Sequence, residues 1–300
     1  MVNMRALHDF YPYRGHYMPV GNTRMHYLDE GKGEVLLALH GNPTWSIYFR
    51  HLIEGFKDSY RLVVPDHVGC GLSDKPDDSD YNYRLEQRVN DVETLVAKLG
   101  LRDITLVLHD WGGMIGLAFA CRHPHLIKRL VLMNTAGFSL PQQKVFPLAL
   151  TLSRSDRVGA VLVRGFNAFA VTASYIGMQR QTMPAALRRA YRAPYNTWEH
   201  RRAVHRFVQD IPLSRKDPSW KIVDFVSENL SLLAKKPVQI IWGERDFVFD
   251  QHFLAEWRRR WPHASIHSFP DGGHYILEDL GDEAISLIRN FLASTNQAAE

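Results

Sequence analysis

The sequence predicts an α/β fold: one mostly parallel β-sheet flanked by helices, with a helical cap inserted late in the chain. Three observations carry this. Residues 35–39 are apolar at every position, and 104–108 and 238–242 at every position but Thr105 and Gln239, the pattern of strands covered on both faces. Strand runs alternate with helical segments, as parallel strands and their crossovers require. The alternation then fails between Gly137 and about Leu213, where the chain is Arg-rich, aromatic and helical in pattern, without a clear strand.

Residues 13–20 and 23–28 flank Gly21-Asn22, a two-residue turn tolerant of positive φ, and read as a hairpin. The strand at 35–39 stops at His40-Gly41-Asn42-Pro43. A helix over 46–56 leads to a strand at 61–64 and a loop rich in Asp, Gly and Pro over 65–80. Leu85–Leu99 carries Val89, Val92, Leu95, Val96 and Leu99 on one helical face, and Gly100 ends it. A strand at 104–108, a helix at 112–121 and a strand at 130–133 follow. After the insertion come a helix at 221–233, a strand at 238–242, a helix at 252–260, a strand at 265–269 and a final helix at 283–292. The predicted division is therefore a core of residues 1–136 and 214–300, with 137–213 as a cap over the carboxyl ends of the strands, where such sheets bind ligands.

Composition narrows the function classes. The chain has 300 residues, is 45% hydrophobic and 11% aromatic, and carries a formal charge of +4. That fills a sizeable core and argues against disorder. Lys and Arg are dispersed without a long basic run, so no nucleic-acid footprint is expected. The densest stretches, Arg188-Arg189 with Arg192, Arg201-Arg202 with Arg206, and Arg258-Arg259-Arg260, read as solvated helix faces or as contacts for an acidic partner or membrane surface. Two cysteines, Cys70 and Cys121, exclude a disulfide scaffold and fit reduced thiols in a cytoplasmic protein. No apolar run reaches transmembrane length, and no signal-peptide pattern opens the chain.

The chemistry concentrates at three strand ends. Leu108-His109-Asp110-Trp111-Gly112-Gly113 lies between a buried strand and a helix, the position of the nucleophile elbow in α/β-hydrolases. Asp110 stands where a Ser is usual, and its carboxylate can form an ester with an electrophilic carbon. Alone, Asp110 also reads as an N-cap. Asp246 ends a later strand and His274 follows the last one, giving the order nucleophile, acid, His. His274 is then the base, and Asp246 fixes its tautomer and stabilises the imidazolium. Glu244 and Asp250 are weaker candidates for the acid. His40-Gly41-Asn42-Pro43 supplies one oxyanion-hole amide and Trp111 the other. The side-chain N–H groups of Asn42 and Trp111 can converge on a leaving anion, although a turn residue and a core aromatic are the plainer readings.

The motifs His40-Gly41-Asn42-Pro43-Thr44-Trp45-Ser46, Asp66-His67-Val68-Gly69-Cys70-Gly71-Leu72-Ser73-Asp74-Lys75-Pro76 and His109-Asp110-Trp111-Gly112-Gly113 resemble the haloalkane dehalogenase family of α/β-hydrolases over almost the whole chain. The resemblance implies Asp110 as nucleophile, His274 as base, Asn42 and Trp111 as the anion-binding pair, and a cis peptide between Asn42 and Pro43. One subgroup takes its acid after the strand ending at Met133. Here that stretch is Asn134-Thr135-Ala136-Gly137, so the acid falls to Asp246. Arg164-Gly165-Phe166-Asn167-Ala168-Phe169 and Arg206-Phe207-Val208-Gln209-Asp210-Ile211-Pro212-Leu213, with the 70–76 motif, are more similar to the β-lactone decarboxylases of bacterial long-chain olefin biosynthesis.

That likeness implies conversion of a cis-3,4-dialkyl-oxetan-2-one to a cis-alkene and carbon dioxide, a small hydrophobic substrate, no cofactor and no metal. It also implies assembly with other olefin-biosynthesis enzymes. Haloalkane hydrolysis through an alkyl-Asp110 ester is the alternative. An epoxide hydrolase, with acids drawn from Tyr175, Tyr191 and Tyr195, and a non-catalytic receptor are the remaining readings. Phe146, Leu148, Leu150, Leu152, Phe166 and Phe169 read either as the lining of a long-chain tunnel or, more simply, as core at helical spacing.

Overall fold

In a computed structural model that describes residues 7–297, eight strands form one sheet in the order β1-β2-β4-β3-β5-β6-β7-β8. They are β1 (His16–Val20), β2 (Thr23–Gly31), β3 (Glu34–Leu39), β4 (Tyr60–Pro65), β5 (Ile104–His109), β6 (Ile127–Met133), β7 (Val238–Gly243) and β8 (Ser265–Phe269). The β1–β2 hairpin turns at Gly21 (φ 55°), with Val20 opposite Thr23. It joins the sheet antiparallel through β2 and β4, and every other pairing is parallel.

These apolar strands are buried on both faces because alternate side chains enter separate cores. Leu37, Leu39, Leu106, Leu108, Leu130 and Ile240 pack with α2 (Leu85–Leu99) and α3 (Trp111–Arg122) on one side. Leu36, Ala38, Val107, Val131 and Ile241 pack on the other with α1 (Arg50–Phe56). Gly100 closes α2 in the left-handed conformation (φ 60°).

Between β6 and β7 come α4 (Leu148–Arg154), α5 (Arg157–Gly165, π-helical from Ala160), α6 (Ala168–Ile176), α7 (Ala185–Arg192), α8 (Arg202–Gln209) and α9 (Trp220–Asn229). After β7 come α10 (Gln251–Arg260), α11 (Ile276–Leu280) and α12 (Asp282–Gln297). Four details differ from the sequence reading. The predicted helix at 46–56 opens as a 3₁₀ turn, Ser46–Phe49, and the predicted helix at 221–233 is α9 ending in a 3₁₀ turn, Leu230–Leu233. Strand β2 runs on to Gly31, past the apolar pattern, because Asp29 is held there by Arg61 at 2.7 Å. Helix α11 had no signal of its own, being a buried turn directly after the His274 loop. Among the described residues no single helix is long and apolar enough to cross a membrane.

The parallel strands end in register: Leu39 pairs with Leu108, His109 with Met133, and Met133 with Ile241. The loops after β3, β5, β6, β7 and β8 therefore meet along one edge.

Candidate active site

Asp110 follows β5 at φ 51°, ψ −127°, a conformation side chains other than Gly rarely adopt. The turn throws its carboxylate up out of the sheet, and close packing enforces it. A Cβ on Gly112 would stand 1.9 Å from the Leu39 carbonyl oxygen. From the facing loop, Gly41 leaves room for the carboxylate itself, since a Cβ there would lie 1.9 Å from Asp110 Oδ1. The Asn42 backbone N–H donates to Asp110 Oδ1 at 2.6 Å. Thr135 Oγ1 donates to the Asp110 carbonyl at 2.6 Å and steadies the turn. Asp110 makes no side-chain cap bond to α3, so the N-cap reading does not describe it.

His274 Nε2 lies 3.7 Å from Asp110 Oδ2, beyond hydrogen-bond range. On its other side Nδ1–H donates to Asp246 Oδ2 at 2.6 Å. Burial raises the Asp110 pKa above the ordinary carboxylate value, opposed by His274 and by the backbone N–H groups of Asn42 and Trp111. Burial disfavours the His274 cation, but the adjoining charge and hydrogen bond of Asp246, then the charge of Asp110, outweigh it and raise its pKa above 6.5. Phe249 stacks on the imidazole at 6.0 Å and 15°. The other acid candidates stand apart: Glu244 is exposed, and Asp250 caps α10 while pairing with Lys144 at 2.7 Å.

Two further polar residues enter the site to which the motifs assigned no role. Asn134, at the end of β6, donates through Nδ2 to Asp246 Oδ2 (3.0 Å) and to the Gly243 carbonyl (2.9 Å), and accepts from the Gly243 N–H (2.8 Å). It braces Asp246 from the end of the neighbouring strand. A polar residue after a buried strand was the only available signal. His109 Nε2–H donates to the His274 carbonyl at 2.8 Å, and burial, then the charge of His274, push its pKa well down, so it is neutral.

Asn42 and Trp111 both line the cleft above Asp110, together with His274. The Asn42–Pro43 peptide is cis. Asn42 Nδ2 donates one hydrogen to the Val204 carbonyl at 3.1 Å, which fixes the amide and leaves its second N–H free. The Trp111 indole N–H makes no hydrogen bond among the described residues, and its ring packs on Phe207 at 5.3 Å.

The cleft is walled mainly by apolar side chains, as small-ligand sites usually are. Of the six apolar insertion residues, Phe146, Leu150 and Phe169 line it, while Leu148, Leu152 and Phe166 are exposed. The expectation of ordinary core is thus corrected: they occupy the two sides of a thin helical layer. Tyr175, Tyr191 and Tyr195 do not line the cleft. Tyr175 is exposed, Tyr191 donates to Glu278 at 2.5 Å and Tyr195 to the Thr44 carbonyl at 3.2 Å, so none is placed to protonate an epoxide there.

The insertion is tied to the His274 loop. The Tyr275 N–H donates to the Gly177 carbonyl at 2.7 Å. The Asp279 carboxylate accepts from the N–H groups of Gln179 and Arg180, each at 3.0 Å, and of Gly273 at 2.7 Å.

Comparison with known proteins agrees with this architecture. A family model described as alpha/beta hydrolase fold matches residues 34–279. A cis-3-alkyl-4-alkyloxetan-2-one decarboxylase of Shewanella oneidensis is 50% identical over 289 residues, covering 96% of this chain and 91% of that protein. One from Xanthomonas campestris is 48% identical over 276 residues, covering 89% and 92%. Among solved structures, the haloalkane dehalogenase DbeA from Bradyrhizobium elkani superposes with a TM-score of 0.84 at 25% identity, covering 95% of this chain and 99% of that one. The chain belongs to the α/β-hydrolase fold family of enzymes, alongside the cis-3-alkyl-4-alkyloxetan-2-one decarboxylases to which it is similar.

Proposed function

We propose that the chain is a β-lactone decarboxylase, turning a cis-3-alkyl-4-alkyloxetan-2-one into a cis-alkene and carbon dioxide, with Asp110 as nucleophile. The observation that carries this is the 50% and 48% identity to decarboxylases of that name over nearly the whole chain. The apolar cleft floored by Asp110 and His274 supports it. In this reading residues 137–213 are the cap, which contributes Phe146, Leu150 and Phe169 to the cleft, and residues 1–136 and 214–300 are the core.

An Asp110 oxygen attacks ring carbon C4 and breaks its bond to the ring oxygen. The ring oxygen becomes a carboxylate on C3, received by the free N–H groups of Trp111 and Asn42. Loss of carbon dioxide leaves an electron pair that forms the C3=C4 double bond and expels Asp110 as carboxylate. Inversion at C4 followed by anti departure takes a cis ring to a cis-alkene, and atoms and charge balance without water. The His274 cation, favoured by Asp246, stabilises the departing Asp110 carboxylate. Hydrolysis of a haloalkane ester asks the opposite of the same imidazole, which must be neutral to accept a proton from water. The dehalogenase-like fold favours that second reading as a side activity.

A water-insoluble lactone is best kept out of bulk water on its way from the enzyme that closes its ring. We extend the proposal to an assembly with lactone-forming partners in the cytoplasm, where the buried free thiols Cys70 and Cys121 stay reduced.

The test is gas chromatography of the purified protein incubated with a synthetic cis-3,4-dialkyl β-lactone, beside an Asp110→Ala variant and a heated control for thermal decarboxylation. Alkene from the intact enzyme alone is expected. No alkene above the controls, from folded protein, overturns the reading and puts haloalkane hydrolysis first.

A further inference from the structure

The insertion carries an anomaly that the chemistry does not use. Helices α5 and α6 are apolar round most of their circumference, yet only Gly159, Val163, Ala170 and Ser174 are buried. They meet at 62°, and α5 packs against both α4 and α6. Across this surface Val145 is 84% exposed, Leu148 73% and Phe166 74%, with Leu152, Val158 and Val161 about half exposed. A helix apolar on nearly all sides is ordinarily covered by protein or lipid.

Charge marks the wider segment around these helices. Residues 144–192, which include α7, hold eight Lys and Arg and one acid, Asp156, a net +7 within a chain whose total is +4, with Lys144, Arg154 and Arg180 paired to acids outside the segment. The exposed Arg157 and Arg189 have no ion-pair partner among the described residues. Apolar helices rimmed by basic side chains have the composition of an interfacial membrane element. The opposite side of this layer is the cleft wall, since Phe146 and Leu150 line it from the α4 region and Phe169 and Ala173 from α6.

We propose that α4–α6 dock on an anionic phospholipid surface, burying Leu148, Val158, Val161 and Phe166 among the lipids, with the cleft turned toward the bilayer. Charge complementarity selects a bilayer over a neutral apolar partner, and the shared helical layer sets the docked face directly behind the cleft wall. Transfer of a dialkyl lactone from bilayer to cleft rests on the decarboxylase reading; docking itself does not.

The test is flotation of the full chain with phosphatidylcholine vesicles, with and without phosphatidylglycerol, at low and high salt. Binding to the phosphatidylglycerol vesicles that weakens with salt is expected, as is a loss of about fivefold in partitioning for each of Arg157→Gln and Arg189→Gln. The variant Val158→Ser/Val161→Ser/Phe166→Ser should fail to float while converting a short-chain, water-soluble lactone at the wild-type rate. That rate also shows the variant is folded. Absence of wild-type flotation at low salt overturns the proposal and assigns the face to a protein partner or a second copy. Flotation unaffected by these substitutions overturns it equally. Because flotation needs no turnover, failure of docking and failure of the decarboxylase reading are told apart.

Discussion

Replacing Asp246 by Asn tests the site at its most constrained atom. The Asp246 side chain is fully buried, and each oxygen faces donors. Oδ2 accepts from His274 Nδ1 (2.6 Å) and Asn134 Nδ2 (3.0 Å), and Oδ1 accepts from the Val248 N–H (2.7 Å). An amide has only one acceptor oxygen. Whichever way it turns, its NH₂ group meets an N–H, leaving a buried donor without an acceptor at a cost of about 1–3 kcal/mol. That is a sizeable share of a typical domain stability of about 5–15 kcal/mol.

A pH signature follows. The raised His274 pKa gives the folded protein stability that is complete below about pH 6.5 and lost as pH rises through the folded-state value. Asp246 is a main cause of that elevation, so Asp246→Asn should cost most at acidic pH and progressively less above it. Urea denaturation at several pH values measures this. Alkene formation by the variant should fall about a hundredfold or more, because the imidazole loses both its orientation and its charge partner. A pH-independent loss under about 0.5 kcal/mol with an unchanged rate would refute the account of Asp246.

Four further outcomes are expected. Asp110→Asn should abolish turnover yet raise Tm at neutral pH, because burial lifts the Asp110 pKa and stability is lost as pH rises through it; the gain should vanish toward about pH 3.8, as thermal melts would show. Gly41→Ala puts a Cβ 1.9 Å from Asp110 Oδ1, displacing the carboxylate, and should cut the rate at least about a hundredfold in a protein whose circular dichroism is unchanged. Alkene formation should fall as pH rises through the elevated His274 pKa, whereas haloalkane hydrolysis in the same site should rise, and parallel pH–rate profiles separate the two. Asn134→Ala removes three hydrogen bonds, one to a carboxylate, and leaves Ala at φ 35°; a loss of about 3 kcal/mol or more is expected in urea.

Where local pattern and tertiary role coincide, the sequence was legible. Strands such as 35–39 carry their double burial in every residue, and Gly112 and Gly113 announce the turn before α3. The order of Asp110, Asp246 and His274 was likewise readable, because strand order fixes which loops share an edge. Asn134 was not, since its importance comes from Asp246 and Gly243, each more than a hundred residues away. Leu148 and Phe166 fit a helical apolar pattern as well as Leu150 and Phe169 do, but periodicity does not tell a core from a wall one helix thick. Asp66 in the 66–76 motif proved structural: it is buried and accepts from His26 Nδ1 (2.8 Å), the Ser46 N–H (2.7 Å) and the Leu72 N–H (2.8 Å), so a motif shared with enzymes can mark scaffolding as readily as chemistry.

The bonds from Gly177, Gln179 and Arg180 to Tyr275 and Asp279 have a consequence for exchanging caps between relatives. The residue carrying the imidazole sits between two backbone groups fastened to these ties, Gly273 and Tyr275. A transplanted cap that brings its own 177–180 segment brings its own setting of the imidazole, whatever its pocket-facing side chains. A chimaera joined at 137 and 213 would thus change substrate fit and histidine placement together. One that keeps residues 177–180 of this chain and replaces only the flanking helices would change fit alone.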